Sequence, residues 1–317
     1  MAEKSPDLDG KIGCVVLGAT KSDGGTRTVS YRPGGESDLP FTGMKNGQGS
    51  IPLVAFEICD DPDYWSPIVT SYTGDLVINT REWARAAEKQ YGADLVRLYL
   101  TSTKRRGFEE FPSITKVMEE VLSGTGLPLI VEGSNEPAID SEVFQRCGEA
   151  GQGERLLLGT AEAGGYRSVA AAAMAYNHSV IAQSPIDINL AKQLNILLRE
   201  IGVKADHIMI DPYTGSLGYG FEYSYSVMER IRYAALKGDT DLAMPMITSA
   251  TDSLSVKEVR EADPVIRDDI AVAWEFYAGL SSAVAGSSIV CVRHPKTVPL
   301  LKQAFRELWA GKIPGEA

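Results

Sequence analysis

Cysteine is scarce and scattered in this sequence. Only four cysteines occur in 317 residues, at Cys14, Cys59, Cys147 and Cys291, without a CxxC or CxH pairing. Iron–sulfur clusters and zinc sites need closely spaced thiolates, so we expect no iron–sulfur cluster held by this chain alone. Long apolar runs are missing as well, and we therefore expect no membrane-spanning segment.

Positive charge is also in short supply. The chain has 31 Lys and Arg against 42 Asp and Glu, a formal net charge of -11. Nucleic-acid recognition usually needs a basic face, so we expect no nucleic-acid partner. The first ten residues, MAEKSPDLDG, are polar and lack the hydrophobic region of a secretory signal, which predicts a cytoplasmic protein with reduced thiols.

From residue 51 onward, short apolar and β-branched segments alternate with helical patterns. The predicted strands are residues 52–58, 94–100, 127–133, 155–161, 179–185, 207–212, 242–248 and 288–294. Eight strands that alternate with eight helices predict an α/β fold of the (β/α)8 TIM-barrel type. A doubly wound open sheet is the alternative, because the pattern alone does not prove closure.

The first 50 residues follow a different pattern. Two strand-like pieces, residues 12–19 and 25–31, occur among loops rich in glycine and proline. We expect residues 1–50 to form an N-terminal β-hairpin extension that packs on the bottom of the barrel, and residues 51–317 to form the barrel itself.

Polar residues end most of the predicted strands, where barrels of this type place their binding and catalytic groups. They are Glu57, Glu132, Asn135, Thr160, Glu162, Gln183, Ser184, Asp187, Asp211, Thr248, Asp252, Arg293 and His294. For Asp187 and Asp252 the alternative is a helix N-cap. The pattern predicts a mouth rich in hydrogen-bonding groups.

Several common barrel chemistries lack their residues here. No predicted strand contains the lysine of a Schiff-base aldolase. His178 and His207 begin strands and so lie at the bottom, which leaves only His294 at the mouth as a proton donor, a ligand or a residue that holds a loop. No nucleophile adjoins a base in sequence. The residues indicate a binding scaffold more readily than a self-sufficient enzyme.

A cluster of glycines and tyrosines follows the sixth predicted strand. The segment DPYTGSLGYGFEYSYSVMERIR, residues 211–232, fits neither GxGxxG nor GxxxxGK[ST], and phosphate loops of barrels follow strands seven or eight. We predict that Asp211 to Gly220 form a rim loop at the mouth and that residues 222–232 begin a helix.

Four long strings carry a specific resemblance. They are VLGATKSDGGTR (16–27), DINLAKQLNIL (187–197), DHIMIDPYTGSLGYGFEYSYSVMERIR (206–232) and VRHP (292–295). With them the chain resembles, nearly end to end, the small (delta) subunit of the corrinoid iron–sulfur protein of the carbon monoxide dehydrogenase/acetyl-CoA synthase pathway. The resemblance implies a TIM barrel that is a non-catalytic subunit of a heterodimer.

The resemblance also implies a cofactor and partners. A larger subunit would carry the [4Fe–4S] cluster, and a corrinoid would lie at the interface. Its cobalt would accept a methyl group from a methyltetrahydrofolate methyltransferase and pass it to acetyl-CoA synthase; docking of a reductive activator is left open. For the corrinoid contacts, barrel geometry favours the late strand ends: Gln183, Ser184, Asp187, Asp211, Tyr213, Thr214, Gly215, Thr248 and His294.

Two enzymatic alternatives remain. An autonomous pterin-dependent methyltransferase shares this architecture, and Asn135, Asp187 and Asp211 would then hydrogen-bond the pterin ring. A small-molecule lyase or isomerase is disfavoured by the missing lysine and histidines.

Overall fold

Eight short strands pair in chain order into a closed parallel barrel in the computed structural model, which describes residues 8–38, 50–103 and 111–309. The strands are β1 Leu53–Cys59, β2 Leu95–Tyr99, β3 Leu129–Glu132, β4 Leu157–Ala161, β5 Ser179–Gln183, β6 Ile208–Asp211, β7 Met246–Ser249 and β8 Ser287–Val292. Leu53 of β1 lies opposite Ile289 of β8, and this pairing closes the ring. The predicted TIM-barrel fold is confirmed.

Helices surround the barrel on its outer side. Within the described residues they are α1 Pro67–Thr73, α2 Thr80–Lys89, α3 Phe111–Gly124, α4 Pro137–Ala150, α5 Tyr166–Tyr176, α6 Ile188–Glu200, α7 Phe221–Leu236, α8 Lys257–Arg260, α9 Arg267–Val284 and α10 Thr297–Trp309. None of the helices in this described part is long and apolar enough to cross a membrane. The two shortest, α1 and α8, are not among the eight predicted helices, although the helix N-cap considered for Asp252 implied a helix near α8.

Alternation along the strands divides their side chains into an inner and an outer set. Each strand contributes to a buried inner cluster, β8 with two residues: Ala55, Leu95, Ile130, Leu157, Ile181, Met209, Ile247, Ile289 and Cys291. The flanking residues of each strand pack outward against the helices, as Val54 and Phe56 do in β1. A side chain two residues beyond an inner residue therefore points inward again, one layer closer to the mouth.

The N-terminal segment closes the opposite end of the barrel. Leu17 and Tyr31 exchange two backbone hydrogen bonds of 3.0 and 2.9 Å in an antiparallel bridge, and Val15 and Leu17 join the inner cluster. The buried Arg27 holds this segment in place through a 2.8 Å ion pair with Glu154. The domain boundary expected near residue 50 falls beside residues 39–49, which lie outside the described residues, and it stays a prediction.

Candidate functional site

Four charged side chains fill the mouth layer above the inner cluster. Arg97 donates from Nε to Oε1 of Glu132 at 2.7 Å and from Nη1 to Glu57, and Arg293 donates from Nε to the other oxygen of Glu57 at 2.8 Å. We call Glu57, Arg97, Glu132 and Arg293 the mouth ion cluster. All four are nearly buried, because each belongs to, or directly follows, a strand whose inward alternation it continues.

The mouth ion cluster keeps its groups charged. Burial alone would raise the pKa of Glu57, but Arg293 and then Arg97 outweigh it and hold that pKa below its usual range. The pKa of Arg97 is raised despite burial, chiefly by Glu132 and then Glu57. Arg293 also lies 4.4 Å above the ring of Trp65. Because these acids and bases neutralise each other, the cluster forms a rigid polar layer at the mouth and offers no free base for proton transfer.

Asp211, at the end of β6, is an acid of the mouth that lies outside this cluster. One of its oxygens accepts from Nε2 of Gln183 at 2.8 Å, and the other accepts from the backbone N–H of Tyr213 at 2.8 Å. Burial raises the pKa of Asp211 to about 6, with the neighbouring Glu132 adding to the effect and Gln183 opposing it. Asp211 can therefore carry a proton close to neutral pH.

Three more of the predicted contacts organise the rim loops. Asp187 caps α6, because its Oδ1 accepts from the N–H groups of Asn189 and Leu190 at 2.7 and 3.1 Å. Thr214 is buried and its Oγ1 accepts from the N–H of Ser249 at 3.4 Å. Gly215 brings the loop against the start of α7, since a Cβ there would lie 3.0 Å from the carbonyl carbon of Gly220. The helix begins at Phe221, so the rim loop and the helix divide as predicted.

Two predicted contacts do not face the mouth. Strand alternation turns Thr248 toward the helices, because its neighbour Ile247 is an inner residue, and its hydroxyl bonds Ser287 at 2.8 Å. His294 is buried against Tyr72, with Nδ1 accepting from the N–H of Lys296 at 3.1 Å and Nε2 donating to Asp268 at 2.8 Å. Both ring nitrogens are used, so His294 holds a loop.

The remaining predicted contacts border a pocket beside the mouth. Gln183, Ser184 and Tyr213 line this cavity of about 430 Å³, which we call the side pocket, together with Asn135 of the loop after β3. The hydroxyl of Ser184 is buried and has no hydrogen-bond partner in the protein. The structure thus brings together the ends of β5 and β6, and separates them from Thr248 and His294.

Sequence reasoning missed two residues of the mouth, Arg97 and Ser249. Ser249 accepts from Nη1 of Arg97 at 3.0 Å and bonds the hydroxyl of Thr251 at 2.8 Å. A usable signal was present: Arg97 lies two residues after Leu95 in DLVRLYL, so alternation alone turns its guanidinium into the barrel.

The site has the chemistry of a hydrogen-bonding surface. The charged groups of the mouth ion cluster pair with one another, Asp211 bonds neutral partners, and, apart from Glu162, the polar side chains of the side pocket are amides and hydroxyls. In the part of the chain that the structure describes, no group of three or more His, Cys, Asp or Glu side chains is arranged to hold a metal ion. His178, at the bottom, is buried between the N–H of Leu156 and the carbonyl of Gly148, as expected for a structural histidine.

Sequence comparison matches most of the chain to one family. Residues 15–280 match the model of the CO dehydrogenase/acetyl-CoA synthase delta subunit. The acetyl-CoA decarbonylase/synthase complex subunit delta of Archaeoglobus fulgidus is 37% identical over 98% of this chain and 71% of that protein. The subunit of the same name from Methanopyrus kandleri is 33% identical over 96% of this chain and 78% of its own length.

Structure comparison finds the same barrel in dihydropteroate synthases. The enzyme of Xanthomonas albilineans in complex with 7,8-dihydropteroate superposes with a TM-score of 0.57 at 20% identity, covering 82% of this chain and 97% of that one. The enzyme of Coxiella burnetii gives a TM-score of 0.57 at 15% identity, over 82% and 94% of the two chains. At such identities the likeness shows the fold alone.

Proposed function

Because the chain belongs to the CO dehydrogenase/acetyl-CoA synthase delta subunit family, we propose that it is the small subunit of a corrinoid methyl carrier. In this role its barrel mouth helps to enclose a corrinoid that a larger, iron–sulfur-carrying subunit binds. A methyltetrahydrofolate methyltransferase and acetyl-CoA synthase are the partners that give and take the methyl group. The cytoplasm is the compartment we expect for such a system.

The observation that carries this proposal is the composition of the mouth. Four of its charged groups are bonded to one another in the mouth ion cluster, and Asp211 is held by Gln183 and a backbone N–H. Apart from Glu162, the side chains that line the side pocket are uncharged, so mainly neutral amides and hydroxyls face a ligand. The rim of a corrinoid consists largely of carboxamides, which need neutral donors and acceptors. The buried hydroxyl of Ser184, which has no protein partner, fits such a group.

The residues that would hold the corrinoid lie at the ends of β5 and β6. Gln183 keeps its carbonyl oxygen as an acceptor while its amide nitrogen bonds Asp211. Tyr213 is about half exposed and can cover an apolar face with its ring. When bound, the corrinoid supplies the methyl-transfer chemistry through its cobalt, and this chain orients it and limits the access of water. Asp187, Thr214 and Gly215 contribute by shaping the rim.

The alternative of an autonomous pterin-dependent methyltransferase finds less support. The three side chains expected to bind a pterin are already engaged within the chain: Asp211 by Gln183 and Tyr213, Asp187 by the start of α6, and Asn135 by the hydroxyl of Thr160 at 3.0 Å. We therefore expect the purified chain alone to transfer no methyl group from methyltetrahydrofolate to free cobalamin. Transfer by the chain alone would overturn the carrier proposal.

Tyr213 provides a sharp test of corrinoid contact. Its φ of 61° lies in the left-handed region, which asparagine tolerates well, so Tyr213→Asn removes the ring without straining the backbone. In the complex with the large subunit, we expect at least about fivefold weaker retention of the corrinoid, followed by its visible absorbance during gel filtration.

The matched control is Tyr277→Ala. Tyr277 has a similar exposure, 59% against 48%, but lies on the outer groove between α9 and α10. The Tyr277→Ala protein should retain the corrinoid as the wild type does. Equal retention by the Tyr213 and Tyr277 variants would remove the rim loop from the corrinoid site.

A further inference from the structure

The side pocket has an apolar wall that belongs to one helix face. Leu190, Leu194 and Leu197 of α6 are spaced four and three residues apart and therefore line the cavity as a single stripe. Leu190 is 44% exposed although it is a large aliphatic residue, and it is one of the residues that line this pocket. A wall of this kind favours a ligand with an apolar face.

The opposite side of the pocket is polar but almost uncharged. Ser184 lines the pocket and is 2% exposed, and its buried hydroxyl has no hydrogen-bond partner in the protein. Gln183, Gln193 and Asn135 add neutral amides, and Glu162 is the one charged side chain among the residues that line the cavity. With a carboxylate and no cation in the lining, the pocket disfavours anions.

The loops that frame the pocket hold unusual backbone conformations. Asn135, Ile186 and Tyr213 have φ values of 62°, 45° and 61°, each in the left-handed region. Isoleucine rarely adopts it, because its branched Cβ crowds the backbone there. Asn135 and Tyr213 line the cavity, and Ile186 follows Pro185, which also lines it. Strained residues of this kind concentrate at ligand sites, where the fold maintains them for binding.

We propose that the side pocket is a binding site for a small uncharged ligand that carries a carboxamide or lactam edge beside an apolar face. The hydroxyl of Ser184 donates to the amide carbonyl, and the neighbouring side-chain amides pair with its remaining donors and acceptors. The leucine stripe of α6 covers the apolar face. Where the ligand is a corrinoid arm, this assignment rests on the proposed function, and where it is a free ligand it goes beyond that function.

Benzamide and benzoate are the probes that separate this proposal from nonspecific binding. They have nearly the same shape, but only benzamide is neutral and carries the amide edge. We expect the methyl signals of Leu194, followed by NMR in the full chain, to report binding of benzamide and at least about tenfold weaker binding of benzoate. Ser184→Ala, which deletes only the hydroxyl, should weaken benzamide binding about fivefold.

Two exposed leucines supply a matched pair of variants. Leu190→Asn removes part of the pocket wall, whereas Leu300→Asn changes a leucine of nearly equal exposure, 43%, in the first turn of α10. The first should weaken benzamide binding and the second should not. Equal affinities for benzamide and benzoate, or no effect of both Ser184→Ala and Leu190→Asn, would overturn the proposal.

The ligand chemistry has two natural sources, a free heterocycle or an amide arm of a corrinoid. Competition with dicyanocobinamide distinguishes them. Displacement of benzamide assigns the pocket to a corrinoid arm, and benzamide binding unaffected by cobinamide assigns it to a free ligand. Failure of the benzamide test leaves the Tyr213 experiment on corrinoid retention unaffected, so the two proposals can fail separately.

Discussion

Arg97 bonds both carboxylates of the mouth ion cluster, and its replacement should destabilise the folded protein. Its guanidinium bonds Glu132 through two nitrogens and also bonds Glu57 and Ser249. In Arg97→Met the side chain keeps its bulk, but Glu132 loses its cation and Glu57 retains only Arg293. Breaking one side of a buried pair costs about 3–5 kcal/mol, because a buried charge is left without its partner. We expect a loss of this size in the free energy of unfolding.

Urea unfolding at pH 7 is the assay, with two comparison variants. Arg85→Met breaks an exposed pair with Glu82, whose atoms lie 3.9 Å apart, and should change the free energy of unfolding by no more than about 0.5 kcal/mol. The double variant Arg97→Met/Glu132→Gln should be more stable than Arg97→Met alone, since it no longer buries the unpaired carboxylate. Contacting pairs of this kind couple by about 0.5–3 kcal/mol.

Two outcomes would refute this reasoning. If Arg97→Met lost no more stability than Arg85→Met, the mouth ion cluster would not be buried in the way that the structure shows. If neutralising Glu132 brought no recovery, the loss would come from packing of the side chain and not from the uncompensated charge.

Two further predictions concern a titrating group and the N-terminal segment. Asp211 has a pKa of about 6 in the folded protein and about 3.9 unfolded, so its ionisation destabilises the fold as pH rises from 4 through 6. The free energy of unfolding of Asp211→Asn minus that of the wild type should therefore be more favourable to the variant at pH 7 than at pH 4. An equal difference at both pH values would contradict the raised pKa. Gly34→Ala should destabilise the protein more than Gly24→Ala, as measured by thermal unfolding. Both glycines have a positive φ, but a Cβ at Gly34 would lie 2.0 Å from the carbonyl oxygen of Gly13, whereas a Cβ at Gly24 would have no atom within 4 Å. Equal decreases in melting temperature for the two variants would rule out that close contact.

The fold followed from local pattern because strands and helices alternate along the chain with few interruptions. Each predicted strand overlaps an observed one, although β7 begins only at Met246, after Pro245, and not at residue 242. Proline lacks the N–H that continues a ladder, which accounts for the late start. Helix α1 was missed because it is short and four of its seven residues, PIVTSYT, are β-branched, which lowers helix propensity.

The site was harder to predict because its partners are distant in sequence. Arg97 meets acids 40 and 35 residues away, and a sequence shows no such contact. Thr248 was placed at the mouth although it follows an inner residue, so alternation, applied strictly, would have removed it. For His294, which follows β8, the decisive contact is Asp268 on α9. Proximity to a strand end was a good guide to the layer of the barrel, but it did not give the direction of each side chain.

The ion pair between Arg293 and Glu57 has a consequence for assembly of the fold. These residues are 236 positions apart, and their contact spans the seam where the last strand meets the first. An open or incomplete barrel would leave Glu57 without this arginine, so partly closed forms carry an electrostatic penalty in addition to the entropy of bringing the chain ends together. The Arg293–Glu57 pair therefore stabilises the closed barrel relative to partly closed forms. The same contact that shapes the mouth favours cooperative closure of the ring.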